Sequence, residues 1–520
     1  MPPNMFASLN PAAAKTAILT LPCLLFATAA ITARTIKVTP ATDLAGVISK
    51  ARSNTTIVLA PGTYRLPARE PHSQAILLEN KSNIIITGND REKTRLELAP
   101  DAKFGFYIGS NLSGLTIQKL TISGSPPLDH NTHAVGNYSG STNNKAIRFT
   151  DLSIKNVAVG ISIATSESGS YQEVSIDRNI IGPTIGTAAG SGYGVHIENA
   201  RQVTVFANLF RECTRHSIYL ARGAKGSGIL LEENLILDHD PESKQSRWYC
   251  AALACSRSSD VTIARNLIVN PPVTAISVEP DEYKNWPSRN INLLSNRVIG
   301  ARRVGLWVTT GESCAAIANK VTLDPAPPDP QWCLQTSSYD FARGKETSSK
   351  IEAPLKRWQD ADYTAELAGQ LFILTDGVLD QADPENWSFK TCPKKWSNVL
   401  GMVGIEHALR KGEHRIFIVT DSGIDEVNPR HWNIRSSRAN LKGSRFVTAA
   451  GGFLHILKGD NLYRLSPESP NSRPLKKSFP GIEWLCPLGD NLCIANAEGR
   501  HLINAKTLEG LELEVAFTKE

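Results

Sequence analysis

Nowhere in this 520-residue chain do Lys and Arg gather into a run, and no base-reading motif appears, although the formal net charge is +6. That removes the electrostatic footprint of a nucleic-acid-binding protein. It leaves a mild basicity that favours acidic partners, anionic polysaccharides among them. Zinc spacing is missing too: no Cys-x-x-Cys pair and no Cys/His cluster speaks for a structural zinc site. Beyond residue 33 no apolar stretch is long enough to span a bilayer. Aromatic residues make up only 7% of the chain, while Gly (37) and Pro (30) are ordinary in number. The composition is that of a folded globular protein, neither disordered nor collagen-like. Helical periodicity is absent from the repeats of the first two thirds, and at this length two domains are expected.

What is present begins at the N-terminus. Lys15 precedes the apolar stretch TAILTLPCLLFATAAITA, which ends in small residues. Charge, apolar core and small-residue exit form a secretory signal over residues 1–33, with cleavage after Ala29 or Ala33. The expected location is therefore periplasmic or extracellular. Eight cysteines follow, at 213, 250, 255, 314, 333, 392, 486 and 493. In an exported protein they permit disulfides, and Cys486/Cys493 or Cys250/Cys255 are close enough in sequence to pair; buried free thiols are the alternative.

A unit of alternating apolar residues, then Asn, then another apolar pair recurs through the first two thirds. It reads VSIDRNII, VTVFANLF, ILLEENLI, VTIARNLI, INLLSNRV and AAIANKV. The asparagines are 179, 208, 234, 266, 296 and 319, at spacings of 29, 26, 32, 30 and 23, with Asn156 a further 23 before the first. Between them lie second short strands: GISIAT, GVHIEN, SIYLAR, AISVEP and GLWVTT. Repeats of this length built only of short strands predict a β-solenoid, and variable turns between constant strands predict a right-handed parallel β-helix over 34–322. Asn at one turn position is suited to a hydrogen-bonded ladder and tolerates left-handed backbone. The polar segment Ser123–Lys145 reads as a long loop.

The pattern changes after Leu323. A Pro-rich, polar linker is expected over 323–357. Then LFILTDGVLDQADPENWSF, from Leu371, matches IFIVTDSGIDEVNPRHWNI, from Ile416, 45 residues later; half-matches begin at Leu454 and Leu492. Strand, Asp/Gly turn, strand is the grammar of propeller blades, so 358–520 is expected to be a smaller β-propeller-like repeat domain. Trp387 and Trp432, at equivalent places, are expected to pack. The fold class is all-β throughout.

Stacking the second strands in register puts Val195, Ile218, Ile276 and Leu306 in an inward row. His196, Tyr219, Ser277 and Trp307 then face outward, followed by Glu198, Ala221 and Glu279, and at the turn Asn199 and Arg222. With coils about 4.8 Å apart, His196, Glu198, Tyr219 and Arg222 share one patch, with Arg215, His216 and Lys225 at its edges. His216 shares the parity of Ile218, which makes a turn role possible for it. Base, phenol, carboxylate and guanidinium together suit acid–base chemistry on a uronate polymer. A base takes the proton at C5, a cation neutralises the carboxylate, and an acid protonates the departing O4. His196, Tyr219, Arg222 and His216 are the catalytic candidates; Arg215, Lys225, Trp307 and Glu198 are the substrate-binding ones. Glu198, Glu279 and Asp281 are candidate ligands for Ca2+. Glu198 with Glu279 is the pairing a hydrolase would need. A non-catalytic carbohydrate-binding role is the remaining alternative.

The repeat over residues 35–322, together with the opening TIVLAPGTYRL, resembles the pectate-lyase-like right-handed β-helix superfamily. A shorter likeness joins GYGVHIENA and RHSIYLARGA to periplasmic alginate C5-epimerases, at Tyr193, Gly194, Arg215, His216, Ile218 and Arg222. The D-P-H-D core of those epimerases has no counterpart here; His196 and Glu198 fall in its neighbourhood. The resemblance implies an enzyme of acidic polysaccharides, with a lyase as the leading expectation and C5-epimerisation beside it.

Overall fold

The computed structural model describes residues 34–510 with short breaks, the longest at 238–250 and 324–333. The signal-like segment and residues 511–520 lie outside the described residues. Three parallel sheets run along the first part of the chain, and each coil contributes one strand to each in turn. Sheet A begins at Arg34–Val38 and reaches Ala315–Ile317. Sheet B runs from Gly62–Leu66 to Lys320–Leu323, and sheet C from Gln74–Leu78 to Leu334–Thr336. This is a parallel β-helix. Its core is the stack of inward rows: Val195, Ile218, Leu253 and Ile276 are fully buried, and Leu306 is nearly so. A short helix, Leu44–Lys50, buries Leu44 and Ile48 at the first coil, and Asp43 caps it by accepting from the Gly46 amide. It covers a core end that would otherwise meet water.

The asparagine ladder forms as expected. Each Nδ2 of Asn179, Asn208, Asn234, Asn266 and Asn296 donates to the Oδ1 of the next, at 2.9–3.0 Å, ending on Asn319. The same Oδ1 also accepts the preceding asparagine's backbone N–H. Two details differ from expectation. The left-handed residue is the one before each asparagine: Arg178, Ala207, Glu233, Arg265, Ser295 and Ala318 have φ between 51° and 56°. Asn156 is outside the ladder, because Asn179 already serves the Leu152 amide of that coil.

Other expectations shift as well. The coil strand Ala251–Ser256 lies between Tyr219 and Ser277, so one coil went uncounted. The segment read as a loop carries a sheet C strand, His133–Gly136. The strand Leu334–Thr336, inside the expected linker, pairs with Val304–Val308 and adds a coil to sheet C. The reason is common to all three: these segments are short or polar, and in a solenoid the neighbouring coil supplies the pairing that their own pattern does not announce.

The C-terminal residues form antiparallel meanders: four strands over Tyr363–Lys395, four over Val399–Arg438, four over Ser444–Ser478 and three over Trp484–Asn504. Their first strands lie side by side. Equivalent aspartates anchor the first two: Asp380 accepts from Trp358 Nε1 at 2.7 Å, and Asp425 accepts from Trp396 Nε1 at 2.6 Å. Trp387 packs beside Trp358, and Trp432 packs on the core of the first two meanders. Cys486 and Cys493 stand directly opposite each other in the last hairpin as free buried thiols. Cys255 is fully buried, and Cys250 lies outside the described residues.

Both ends of this array rest on the β-helix. Ala264, Leu294 and Ile317 meet Trp358, Leu371 and Ile373 of the first meander. Ile180, Leu209, Leu235 and Leu267, the outward residue after each ladder asparagine, meet Trp484, Cys486 and Leu502 of the last. The repeats carried this signal: a solvent-facing position that is apolar four coils running must be covered.

Asn266→Ala removes the acceptor of both Asn234 donors in a dry corner. A loss of about 2–4 kcal/mol is expected in urea unfolding, on the scale of one or two unsatisfied buried groups. A change below about 0.5 kcal/mol would show the ladder to be dispensable.

Candidate functional site

The outward face of sheet C holds the candidate residues, and its geometry turns on glycine. Pairing between the strands Tyr193–Glu198 and His216–Ala221 runs Tyr193–His216, then Val195–Ile218, with no bridge at Gly194–Ser217. A Cβ on Gly194 would fall 2.7 Å from the Phe210 ring inside the core. So Gly194 and Val195 both face inward, and the alternation of the strand inverts. Gly160 repeats this one coil earlier, where a Cβ would strike Ile181 at 2.8 Å. Tyr193 and His216, inward by simple parity, therefore emerge on the same side as His196 and Tyr219.

The result is a two-by-two block of rings. Tyr193 and His196 come from one coil, His216 and Tyr219 from the next. His196 stacks on Tyr219 at 5.4 Å, His216 on Tyr219 at 5.2 Å, and Tyr193 on His216 at 5.5 Å between centroids. The Arg215 guanidinium lies over the Tyr193 ring at 5.4 Å. Arg222 Nη1 pairs with Glu198 Oε1 at 2.9 Å. His216 is recessed, and its Nδ1 is 2.6 Å from the Ala251 carbonyl oxygen. Ser162 Oγ sits 3.4 Å from His196 Nδ1.

Burial sets the charges. Desolvation pushes His196 down to about 4 and His133 down to about 3, the latter helped by His196 itself, so both imidazoles are neutral at pH 7. Desolvation raises Tyr219 against the opposing pull of Arg257 and Arg215. Burial also raises Glu198, with Arg222 and Arg257 acting the other way. The face thus offers two neutral imidazoles, His196 and His133, the protonated Tyr219 phenol and arginine cations.

Other candidates lie apart from this block. Glu198 and Glu279 occupy one column but lie three coils apart, roughly 14 Å at the spacing of parallel strands. They neither flank one glycosidic bond as hydrolase carboxylates must nor converge on one calcium ion. Trp307 lies three coils beyond Tyr219, past Ala254 and Ser277, outside the ring block. Lys225 and Asp281 lie outside the described residues. Among the described residues no group of three or more His, Cys, Asp or Glu is placed to hold a metal ion.

Three residues of the face were missed. Tyr193 was matched only by resemblance, because its parity concealed it. His133 sat in the segment taken for a loop. Arg257 shares the left-handed turn position of Arg222, one coil on, with φ 53° and 52°; recognising the strand Ala251–Ser256 would have placed it.

Residues 113–321 match the family described as a right handed beta helix region. Among solved structures, the chain is similar to an alginate lyase from Paenibacillus sp. str. FPU-7, at 16% identity over 58% of this chain and 97% of that one, TM-score 0.40. It is similar to pectate lyase Pel9A at 12% identity over 57% and 78%, TM-score 0.38. It also resembles the extracellular domain of a one component system from B. thetaiotaomicron at 16% identity and TM-score 0.23, covering 34% of this chain and only 27% of that one. No curated protein matches the sequence. The assignment of the fold rests on the hydrogen-bonded coils themselves. No helix among the described residues is long and apolar enough to cross a membrane.

Two outcomes follow. Gly194→Ala drives a methyl group into Phe210 and the Ser217 carbonyl, and a loss of about 1–3 kcal/mol is expected from overpacking; unchanged urea unfolding would refute the inward placement. His196 titrates near 4 when folded and near 6.5 when unfolded, so the unfolded chain binds more protons between those values. The stability it contributes is complete above pH 6.5 and is lost as pH falls toward 4. His196→Gln should flatten that decline in unfolding measured at pH 7, 6 and 5.

Proposed function

We propose that the chain is an exported enzyme that cleaves an acidic, uronate-containing polysaccharide by β-elimination. The carrying observation is the outward block in which the neutral His196 imidazole and the protonated Tyr219 phenol stand beside guanidinium groups. Elimination needs these three kinds of group. In this reading His196 and Tyr219 carry the proton transfers, and Arg222, tethered by Glu198, meets the substrate carboxylate with the planar fork such a group requires. Arg215 adds positive charge at the edge. Trp307 offers a ring for a sugar further along the same face.

C5-epimerisation is the second reading, because Tyr193, Arg215 and His216, three positions of the epimerase-like stretches, come together in this block. It shares the proton abstraction and differs in whether O4 departs. The Glu198–Glu279 pairing a hydrolase would use is three coils apart, and a purely binding face is disfavoured by Arg215, Arg222 and Arg257 around the rings.

The β-helix begins at about residue 34, and we read the meanders as an open four-bladed propeller whose gap the β-helix fills. The residues 1–33 act as the export signal.

The test is ultraviolet absorbance during incubation of the purified protein with alginate, pectate, glucuronan and glycosaminoglycans, with and without calcium. Absorbance from a new C4–C5 double bond should rise on one polymer and fall at least ~100-fold in the His196→Ala, Tyr219→Phe variant, the scale of lost acid–base catalysis. No rise on any polymer, with C5 inversion seen by NMR, would replace the lyase with the epimerase.

A further inference from the structure

The meanders sort their charges by strand. Residues 358–510 hold 18 Lys and Arg against 18 Asp and Glu, so this part of the chain is neutral as a whole. Its outermost strands are not. Phe389–Lys395 carries Lys390, Lys394 and Lys395, Asn433–Arg438 carries Arg435 and Arg438, and Leu475–Ser478 carries Lys476 and Lys477; none of the three holds an Asp or Glu. The acids sit one strand further in, where Asp380 and Asp425 are held by indoles and Glu426 takes Arg415 at 3.0 Å. Lys394 reaches Asp425 at 2.5 Å, and Arg435 lies 3.9 Å from Glu426. Lys390, Lys395, Arg438, Lys476 and Lys477 are exposed and make no ion pair among the described residues. An open sheet edge needs charge to keep other edges away, and lysine is common there, but either sign serves that purpose. Cations alone, on three strands of a neutral array, make a field of one sign. Where the second meander passes to the third, Ser422, Arg438, Asn440 and Lys442 line a shallow bowl of about 460 Å³ with Asp421 as its one acid. Lys458 Nζ donates to the Asn440 carbonyl beside it at 2.8 Å. Phe389 and Leu475 are the exposed large apolar residues of these strands, one on each of two, so there is no apolar cluster of the kind on which a protein interface centres.

We propose that the outer strands of the meanders form a second binding surface, for an acidic polysaccharide chain, apart from the sheet C face. The meanders rest on sheets A and B, through Ala264, Leu294 and Ile317 and through Leu209, Leu235 and Leu267, so the surface and the candidate site are distinct. The choice of polysaccharide among polyanions rests on the reading of the site given above; the charge pattern does not. A flexible chain with recurring carboxylates spans separate strands without a shaped pocket. Each cation it meets releases counterions, as for other polyanions. Lys476 and Lys477 lie over the Tyr463 and Phe479 rings at 5.7 Å and 5.6 Å, which limits the freedom their ammonium groups lose on binding. Polymer held on the meanders has a raised effective concentration at the site.

The test is biolayer interferometry of the purified full chain on immobilised polygalacturonate, dextran, double-stranded DNA and phosphatidylserine vesicles. Binding to polygalacturonate is expected in low salt and should vanish near 1 M salt, where the screening length falls to about 3 Å. Dextran, which is neutral, should not bind. The variant Lys390→Gln, Lys395→Gln, Arg438→Gln, Lys476→Gln, Lys477→Gln should bind polygalacturonate at least ~10-fold more weakly, the scale of several exposed ion pairs lost together. A smaller loss overturns the proposal. So does wild-type binding to DNA or vesicles as tight as to polygalacturonate. A companion that keeps the charges, with Arg at the four lysines and Lys at Arg438, should bind as the wild type does; a loss equal to that of the glutamine variant would assign the effect to folding and overturn the proposal. The same ~10-fold difference should appear in the His196→Ala, Tyr219→Phe background, which removes the site's own contribution. Should the wild type act on no polymer, the proposed function fails, while the binding ratios still decide the surface.

Discussion

Every position in this protein's first part is defined by its neighbours one coil above and below. Parallel pairing holds successive coils about 4.8 Å apart and in register, so a residue type repeated at one position becomes a continuous column. Inward columns become core, and the asparagine column becomes a buried chain of amides, each satisfying the one before it. Outward columns become surfaces of uniform character. The candidate site face, the ladder and the seam with the meanders all derive from this stacking.

The same constraint explains how a site arises on so regular a scaffold. A column of side chains alone gives a line of groups, one per coil. Gly160 and Gly194 break the alternation so that two consecutive residues face inward. Two outward columns then come close, and a line becomes a two-by-two block of rings. Glycine is required because the Cβ of any other residue would enter the space of Ile181 or Phe210. The block is dry enough to keep the His196 imidazole neutral, while Arg215 and the Arg222–Glu198 pair supply charge at its margin.

The meanders relate to the β-helix through another column. Ile180, Leu209, Leu235 and Leu267 are apolar and outward, and the last meander covers them. Further along the same column the residues change to Arg297 and Lys320. These lie over Phe446 and Tyr363, 5.2 Å and 5.3 Å from the ring centroids. One corner of the solenoid thus meets the first, third and fourth meanders through residues at a single repeat position. The array leans on the β-helix at both of its ends.

Much of this was legible in the residues alone. The spacing of six asparagines and the alternation around them determined a solenoid, its inward rows and its ladder, because those features depend only on what recurs. His196, Tyr219, Glu198 and Arg222 were placed on one face by the same arithmetic. Tertiary structure decided what recurrence cannot express. It placed Tyr193 and His216 outward, since their direction depends on whether Phe210 leaves room beside Gly194. It added the coil strand Ala251–Ser256, whose bland sequence announces no strand until its neighbours pair with it. It set Nδ1 of His216 against the Ala251 carbonyl, which lies 35 residues away in the chain and one coil away in space.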